Sequence, residues 1–116
     1  LKYQWRNDQA AVTGKFATVT SPLSADTLTL TYAATPNSSV YAVESPDAIE
    51  PADPCAYTAF RYPENNKSAG IVFGGNATDH WRSIVLAVPF ETIMETPRRT
   101  KLMQMILNYL LQPATF

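Results

Sequence analysis

The stretch SIVLAVPFETIMETPRRTKLMQMILNYLLQ, residues 83–112, decides the fold because it joins a buried strand to a long helix through a tight corner. Its apolar run IVLAV is typical of a strand that is covered on both faces. We therefore predict that the strand within residues 80–90 lies at the centre of the sheet. The helix is predicted to begin after an N-capping Thr96, with Pro97 in its first turn, and to end before Pro113.

The predicted helix is apolar around more than half of its circumference. A helix that lies on one sheet needs only a single apolar stripe, yet Leu107 and Leu111 fall outside the main face. Other segments of the domain could cover this pair, but we favour the remainder of a larger protein or a second copy of the chain as the partner. The main face comprises Leu102, Met103, Met105, Ile106, Tyr109 and Leu110.

Two arginines stand at the start of the helix, where the backbone dipole disfavours positive charge by about 0.3 to 1 kcal/mol each. Arg99 is predicted to face inward, so it needs a carboxylate acceptor. We predict that Glu91 is this partner, with Glu95 as the exposed alternative. The pair Glu91 and Arg99 is interpreted as a structural clamp between strand and helix, and a ligand site at the strand end is the alternative interpretation.

The rest of the chain consists of short strand-like runs separated by turn formers. Residues 26–32, DTLTLTY, alternate strictly, so that Leu28, Leu30 and Tyr32 share one face. Three prolines in residues 46–54 predict an extended loop without regular pairing. The sequence therefore predicts an α+β fold, with a largely antiparallel sheet of about six strands and one long C-terminal helix packed on it. The other predicted strands lie within residues 14–21, 39–45, 55–62 and 68–75.

Length and composition narrow the classes of function. A chain of 116 residues allows one domain, residues 1–116. The net charge is −1 and the nine basic residues are scattered, so we expect no nucleic-acid surface. No apolar run reaches the length of a membrane span, so no membrane partner is expected. Because the first residue is Leu1 rather than methionine, we expect that the chain has been processed, excised or trimmed, and the extensively apolar helix favours a fragment of a larger protein.

The titratable residues do not assemble into a catalytic motif, and neither a metal site nor a cofactor is predicted. His80 is the only histidine, which argues against a zinc site built from this chain. A dyad of Cys55 and His80 is possible only in principle, since nothing in the sequence places Cys55 beside a base. The acidic residues of the proline-rich loop are interpreted as solvated, with Asp47 or Glu50 paired to Arg61.

Two tryptophans keep carbohydrate binding open as an alternative. Flat aromatic faces stack on sugar rings, and Trp5 and Trp81 are the candidates for such stacking. Packing into the core is the commoner fate of a tryptophan. Exposed, coplanar rings in a groove would favour the sugar-binding alternative.

Four segments carry a family resemblance: LKYQWRNDQAAVTGK (1–15), YAVESPDAIEPAD (41–53), AFRYPENNKSAGIVF (59–73) and VLAVPFETI with RRTKLMQMILNYL (85–110). Together they resemble the C-terminal portion of xanthan lyase-like proteins secreted by bacteria. The closing strand and helix are also similar to the end of class I glutamine amidotransferase-like domains. That family's nucleophilic cysteine sits on a strand-to-helix elbow, which Cys55 does not match, so the resemblance implies no catalytic residue here.

The resemblance implies an exported parent protein and an extracytoplasmic location. We accordingly expect a noncatalytic accessory or interaction domain, which binds the remainder of its parent or a second copy through the C-terminal helix. A carbohydrate-binding module that contacts polysaccharide is the alternative. The C-terminal part of a polysaccharide lyase or amidotransferase-like enzyme is a further alternative, which would need an arginine, a tyrosine and an acid in one cleft, or a nucleophile from outside this chain.

Overall fold

A computed structural model describes residues 2–7, 14–33, 46–75 and 78–111. Within these ranges the chain forms seven strands, one 3₁₀ turn and one α-helix. The elements are β1 Tyr3–Asn7, β2 Lys15–Thr18, β3 Thr29–Thr31, β4 Ala48–Pro51, β5 Ala56–Arg61, β6 Ser68–Phe73, β7 Ser83–Leu86, a 3₁₀ turn Phe90–Thr92 and α1 Thr96–Leu110.

The strands form two antiparallel sheets. Five of them form one sheet in the order β3-β2-β5-β6-β7, and β1 pairs with β4 in a two-stranded ribbon. One helix, α1, packs on the larger sheet through Leu102 and Tyr109. The predicted α+β architecture, a mostly antiparallel sheet with a C-terminal helix, is confirmed.

Two groups of buried residues lie on the two faces of the five-stranded sheet. On β6, Val72 belongs to the group that contains the helix residues, which we call the helix-side cluster. Its neighbours Ile71 and Phe73 point the other way and pack with Ile49 of the ribbon in the ribbon-side cluster. Both faces of the sheet are therefore covered, by α1 on one side and by the ribbon on the other.

The prediction that the strand within residues 80–90 is central is wrong. All six residues of β6 are buried, whereas β7 lies at the edge of the sheet and is only partly buried. Ile84 and Leu86 pack against the helix-side cluster, while Val85 and Ala87 pack against the ribbon-side cluster. A continuous apolar run thus reports that both faces of a strand are covered, and it says nothing about neighbours within the sheet.

The prediction that the proline-rich segment 46–54 is an extended loop without regular pairing is wrong. The middle of this segment forms β4, in which Ile49 pairs with Trp5 and Pro51 pairs with Tyr3. The proline is the last residue of a strand in a two-stranded ribbon, where a missing N–H group disrupts little. The ribbon is irregular between Trp5 and Asn7, where the register shifts.

The segment after β7 carries the chain from one edge of the sheet to the other. The backbone N–H of Ala33 donates to the Thr92 carbonyl at 2.9 Å, and that of Met94 donates to the Thr31 carbonyl at 2.7 Å. A flat sheet would separate β3 from β7 by about 19 Å, four strand spacings of about 4.8 Å. The few residues between Leu86 and Thr92 would span about 19 Å only if they were nearly extended, and part of this segment is a 3₁₀ turn, which is more compact. The sheet must therefore curl to bring its two edges closer together.

The alternating pattern of residues 26–32 is confirmed in its orientation. Leu30 and Tyr32 are buried and Leu28 packs against the same helix-side cluster. The hydroxyl of Thr18 accepts a hydrogen bond from the Leu28 N–H at 2.7 Å, which aligns the strand entry with β2. The strand predicted within residues 39–45 lies outside the described residues.

Helix α1 begins one residue earlier than predicted. Its N-cap is Glu95, which has a φ of 67° and makes no capping hydrogen bond through its side chain, while Pro97 lies in the first turn as predicted. Leu111 is the C-cap, so the helix ends at Leu110.

Only part of the predicted apolar face of α1 is buried. Leu102 and Tyr109 are buried, but Met103 and Leu110 are exposed and do not belong to the inward face. The part of the chain that the structure describes leaves about half of Leu107 and most of Leu111 uncovered, since these residues are 47% and 81% exposed. A partner for this surface stays a prediction.

Candidate functional site

An open polar groove lies between the ribbon and the β5–β6 hairpin, with a volume of about 680 Å³. We call it the Arg61 groove. The ribbon contributes one wall, and the hairpin contributes the other wall and its turn. The lining side chains used below are Arg6, Glu50, Arg61, Lys67 and Ser68.

The hairpin turn between β5 and β6 positions one wall of the groove. The backbone N–H of Asn66 donates to the Tyr62 carbonyl at 2.8 Å, and the Asn65 side chain accepts from the Lys67 N–H at 2.9 Å. Asn66 has a φ of 61°, a left-handed conformation that asparagine tolerates better than most residues. Arg61 is directly opposite Ser68 across the hairpin, so both side chains share one face.

The base of this hairpin is held from the opposite side by a buried tyrosine. Tyr62 is inaccessible to solvent, and its hydroxyl donates to the Asp47 carbonyl at 2.6 Å. Burial raises the pKa of the Tyr62 phenol above its usual range, with smaller contributions from Tyr32 and Asp47. The hydrogen bond connects the turn to the residue that precedes β4, so it links the two walls of the groove.

The charges in the Arg61 groove are unbalanced. Glu50, the one carboxylate among its lining residues, forms an ion pair with Arg6 across the ribbon. The Arg61 guanidinium donates to the Asn66 carbonyl at 2.8 Å, and neither Arg61 nor Lys67 forms an ion pair with any described residue. The predicted pairing of Arg61 with Asp47 or Glu50 is therefore wrong, and two cations in the groove lack a carboxylate partner among the described residues.

A buried hydroxyl lies beside these cations. Ser68 lines the groove, is 7% exposed, and its Oγ has no hydrogen-bond partner among the described residues. A buried polar atom without a partner costs about 1 to 3 kcal/mol relative to a satisfied one. The groove therefore contains unused hydrogen-bonding capacity as well as unbalanced charge.

The two candidate tryptophans lie in different surroundings. Trp5 is 59% exposed and lies on β1, the strand that also carries Arg6. Trp81 is 47% exposed, but its ring lies 6.0 Å from that of Phe73, and Lys2 Nζ is 5.6 Å from its centre. Trp5 is thus the more exposed of the two rings, and neither ring is among the residues that line the groove.

The corner between β7 and α1 differs from the predicted clamp. Glu91 is exposed in the 3₁₀ turn, and the described ion pairs do not include it. Arg99 donates to the Ile93 carbonyl at 2.8 Å, and Arg98 donates to the Thr29 carbonyl of β3 at 2.6 Å. The arginines thus use backbone carbonyls as acceptors, a kind of acceptor that a search for carboxylates overlooks.

The predicted alternative acceptor is used by the other arginine. Glu95 lies 3.6 Å from Arg98 in an exposed ion pair, and not beside Arg99. Exposed pairs of this kind contribute about 0 to 1 kcal/mol. The contacts of the two arginines at this corner are therefore mainly arginine-to-carbonyl hydrogen bonds.

Among the remaining titratable residues of the described ranges, Lys2 forms ion pairs with Asp53 and Asp79. Cys55 is partly buried, and its backbone N–H donates to Asp53 Oδ1 at 2.8 Å. His80 is exposed. No group of three potential metal ligands is found among the residues that the structure describes. Within those residues, no helix has the length and apolar character needed to cross a membrane.

Sequence reasoning missed the Arg61 groove. Arg61 was considered only as the partner of an acid, and Arg6, Lys67 and Ser68 were not singled out. The paired asparagines at 65–66 signal a turn, but the opposite wall depends on pairing between segments more than forty residues apart.

Comparisons with known proteins add no relative. No protein-family model matches the chain, and neither a curated protein nor a solved structure matches it.

Proposed function

We propose that the chain is a noncatalytic accessory domain that binds a polar ligand in the Arg61 groove. The observation that carries this proposal is the two cations, Arg61 and Lys67, that lack carboxylate partners in a groove whose own acid, Glu50, is already paired. Such a wall offers charge and hydrogen-bond donors to a ligand.

The construction of the groove favours binding over chemistry. Arg61 is oriented by the Asn66 carbonyl, and Glu50 is held by Arg6. The described lining residues include no histidine or cysteine that could serve as nucleophile or proton carrier near neutral pH. Its fixed donors can position a ligand, which is the task of a binding module.

The biological setting follows from the resemblance to secreted xanthan lyase-like proteins. It supports the proposal that the domain belongs to a larger exported protein and works outside the cytoplasm. In that setting an accessory domain would hold a ligand close to the other parts of its parent.

Carbohydrate is the second candidate, and here it specifies the ligand of the same groove. The exposed ring of Trp5, on the ribbon that forms one wall of the groove, favours it, because an exposed aromatic face is suited to a sugar ring. Trp81 is the weaker stacking candidate, since Phe73 and Lys2 already contact it.

The test is a titration of the isotopically labelled chain with neutral and acidic oligosaccharides, followed through its backbone amide resonances. We expect the largest shifts at Arg61, Lys67 and Ser68. Replacing Trp5 by alanine should weaken binding about tenfold if its ring stacks on the sugar, whereas Trp81→Ala serves as the matched control. Shifts that spread over the surface, or that concentrate away from the groove, would contradict the proposal.

A further inference from the structure

We infer that the Arg61 groove is a carboxylate-binding site and that its ligand is a sugar acid. This inference rests on the proposed binding function and adds the charge of the ligand. The argument starts from Arg6, Arg61 and Lys67, three cations that line the groove together with the single carboxylate of Glu50.

The pairing within the groove decides which cations remain for a ligand. Arg6 and Glu50 neutralise each other across the ribbon. Arg61 and Lys67 have no carboxylate partner among the described residues. Two like charges on one wall repel each other, so a ligand that brings one negative charge between them gains attraction and removes repulsion.

The geometry of Arg61 favours a planar oxyanion. A guanidinium carries five N–H donors in a fixed fork, and only the bond to the Asn66 carbonyl is made within the described structure. The remaining donors match the two oxygens of a carboxylate. The Asn66 contact orients the fork, so a ligand does not have to order a free side chain.

Ser68 supplies the second polar element. It is directly opposite Arg61 in the hairpin, and its buried Oγ has no described partner. Because this oxygen is buried, it could donate to an oxygen of the bound group only after a rearrangement of the wall. The fork of Arg61, the point charge of Lys67 and the hydroxyl of Ser68 together suit a carboxylate.

The sugar part of the ligand is taken from the proposed function, since neither Trp5 nor Trp81 is among the residues that line the groove. A sugar acid carries a carboxylate and several hydroxyl groups on one unit, so it could contact both the cations and the polar side chains of the groove. A neutral sugar would leave Arg61 and Lys67 uncompensated.

The experiment compares an oligogalacturonate with its methyl ester, which has the same sugar backbone but no charge. We expect the acid to bind at least about tenfold more tightly than the ester at low salt, and this advantage to shrink as salt is raised. Arg61→Met and Lys67→Met, which keep much of the apolar stem, should each weaken binding of the acid about tenfold. Lys101→Met, on the exposed face of α1, is the charge-matched control and should bind as the parent does.

The possible outcomes separate this inference from the proposed function. If acid and ester shift the groove amides with equal affinity, the groove binds sugars and the carboxylate inference is wrong. If neither compound shifts the groove amides, both the inference and the sugar-binding form of the proposed function are contradicted. If inorganic phosphate displaces the acid at lower concentration than monomeric galacturonate does, the site prefers phosphate, which overturns the carboxylate assignment.

Two further measurements keep the result interpretable. Thermal unfolding of each variant shows whether a loss of binding reflects a loss of fold. Arg61→Lys keeps the charge but removes the fork, so it should recover only part of the affinity lost in Arg61→Met. Full recovery by lysine would show that charge alone binds the ligand, and would contradict the bidentate arrangement.

Discussion

The two faces of the five-stranded sheet are built differently. The helix-side cluster contains thirteen buried residues of the described chain, including Phe16, Phe60 and Tyr62. The ribbon-side cluster contains four, among them Ile49 and Phe73. Hydrophobic stabilisation grows with buried apolar area, so the helix side carries most of the stability.

Because of this asymmetry, most of the residues that stabilise the fold lie on one face of the sheet, and the residues proposed to bind a ligand lie at the ribbon. The small ribbon-side cluster attaches β1 and β4 with limited apolar burial, and the Arg61 groove lies where the ribbon meets the β5–β6 hairpin. Polar side chains can line that junction because the helix-side cluster already supplies most of the stability of the fold. The comparison teaches that the ribbon side is the place where substitutions should affect ligand binding with little loss of fold.

The largest expected effect is a truncation on the helix side. Phe60→Ala should lower the free energy of unfolding by about 3 to 5 kcal/mol, because the ring is fully buried and lies 5.8 Å from that of Phe16. Chemical denaturation measures this loss. A loss below about 1 kcal/mol would show that the helix-side cluster is not the main core.

A truncation on the ribbon side should be milder and more local. Ile49→Ala should cost about 2 kcal/mol, because the residue is buried in a cluster of few neighbours. Amide hydrogen exchange should accelerate first in β1 and β4, while β6 stays protected. Uniform acceleration throughout the sheet would mean that the ribbon and the sheet unfold as one unit.

Alkaline pH should weaken the helix side selectively. Burial raises the pKa of Tyr32, Tyr62 and Tyr109, all members of the helix-side cluster. Below the unfolded pKa of about 10, both states keep their protons and this contribution to stability is complete. As pH rises above about 10, the unfolded chain loses protons first, so stability falls by up to about 1.4 kcal/mol per pH unit for each tyrosine.

Urea unfolding at pH 9, 10 and 11 measures this slope. Tyr62→Phe is the control, because it removes one titrating group and should reduce the slope. At neutral pH the same change should cost about 1 kcal/mol through loss of the hydrogen bond to the Asp47 carbonyl. An unchanged alkaline slope in Tyr62→Phe would exclude that residue as a source of the pH dependence.

The smallest effects are expected at the corner between β7 and α1. Arg99→Met should cost about 1 kcal/mol, because it removes a charged hydrogen bond to the Ile93 carbonyl at a partly exposed position. Glu91→Gln should change stability by less than about 0.5 kcal/mol, because the side chain is exposed. A larger loss of stability for Glu91→Gln than for Arg99→Met would support the predicted pairing of Glu91 with Arg99.

Sequence reasoning succeeded where the pattern that carried it extends over only a few neighbouring residues. The alternation in residues 26–32 was sufficient to orient Leu30 and Tyr32, and Pro97 marked the first turn of the helix. Both signals are local. The centre of the sheet was assigned wrongly because the run in β7 is apolar on both faces even though the strand lies at an edge.

The candidate site was less accessible from sequence than the fold. Its ribbon wall requires Tyr3–Asn7 to pair with Ala48–Pro51, which the prolines of that segment argued against. The charge imbalance emerges only when Glu50 is seen to pair with Arg6, so that Arg61 and Lys67 lack a carboxylate partner. Such facts depend on contacts between distant segments, which periodicity does not report.

The sequence by itself determined the class of the fold, the strands on either side of the hairpin and the helix at the end, because side-chain periodicity and turn residues act over a few positions. The tertiary structure alone decided the order of the strands, the covering of one face by a ribbon and the meeting of cations in the Arg61 groove. The reason is physical: register and packing are selected by burial of whole faces against each other, and one apolar pattern is compatible with several such arrangements.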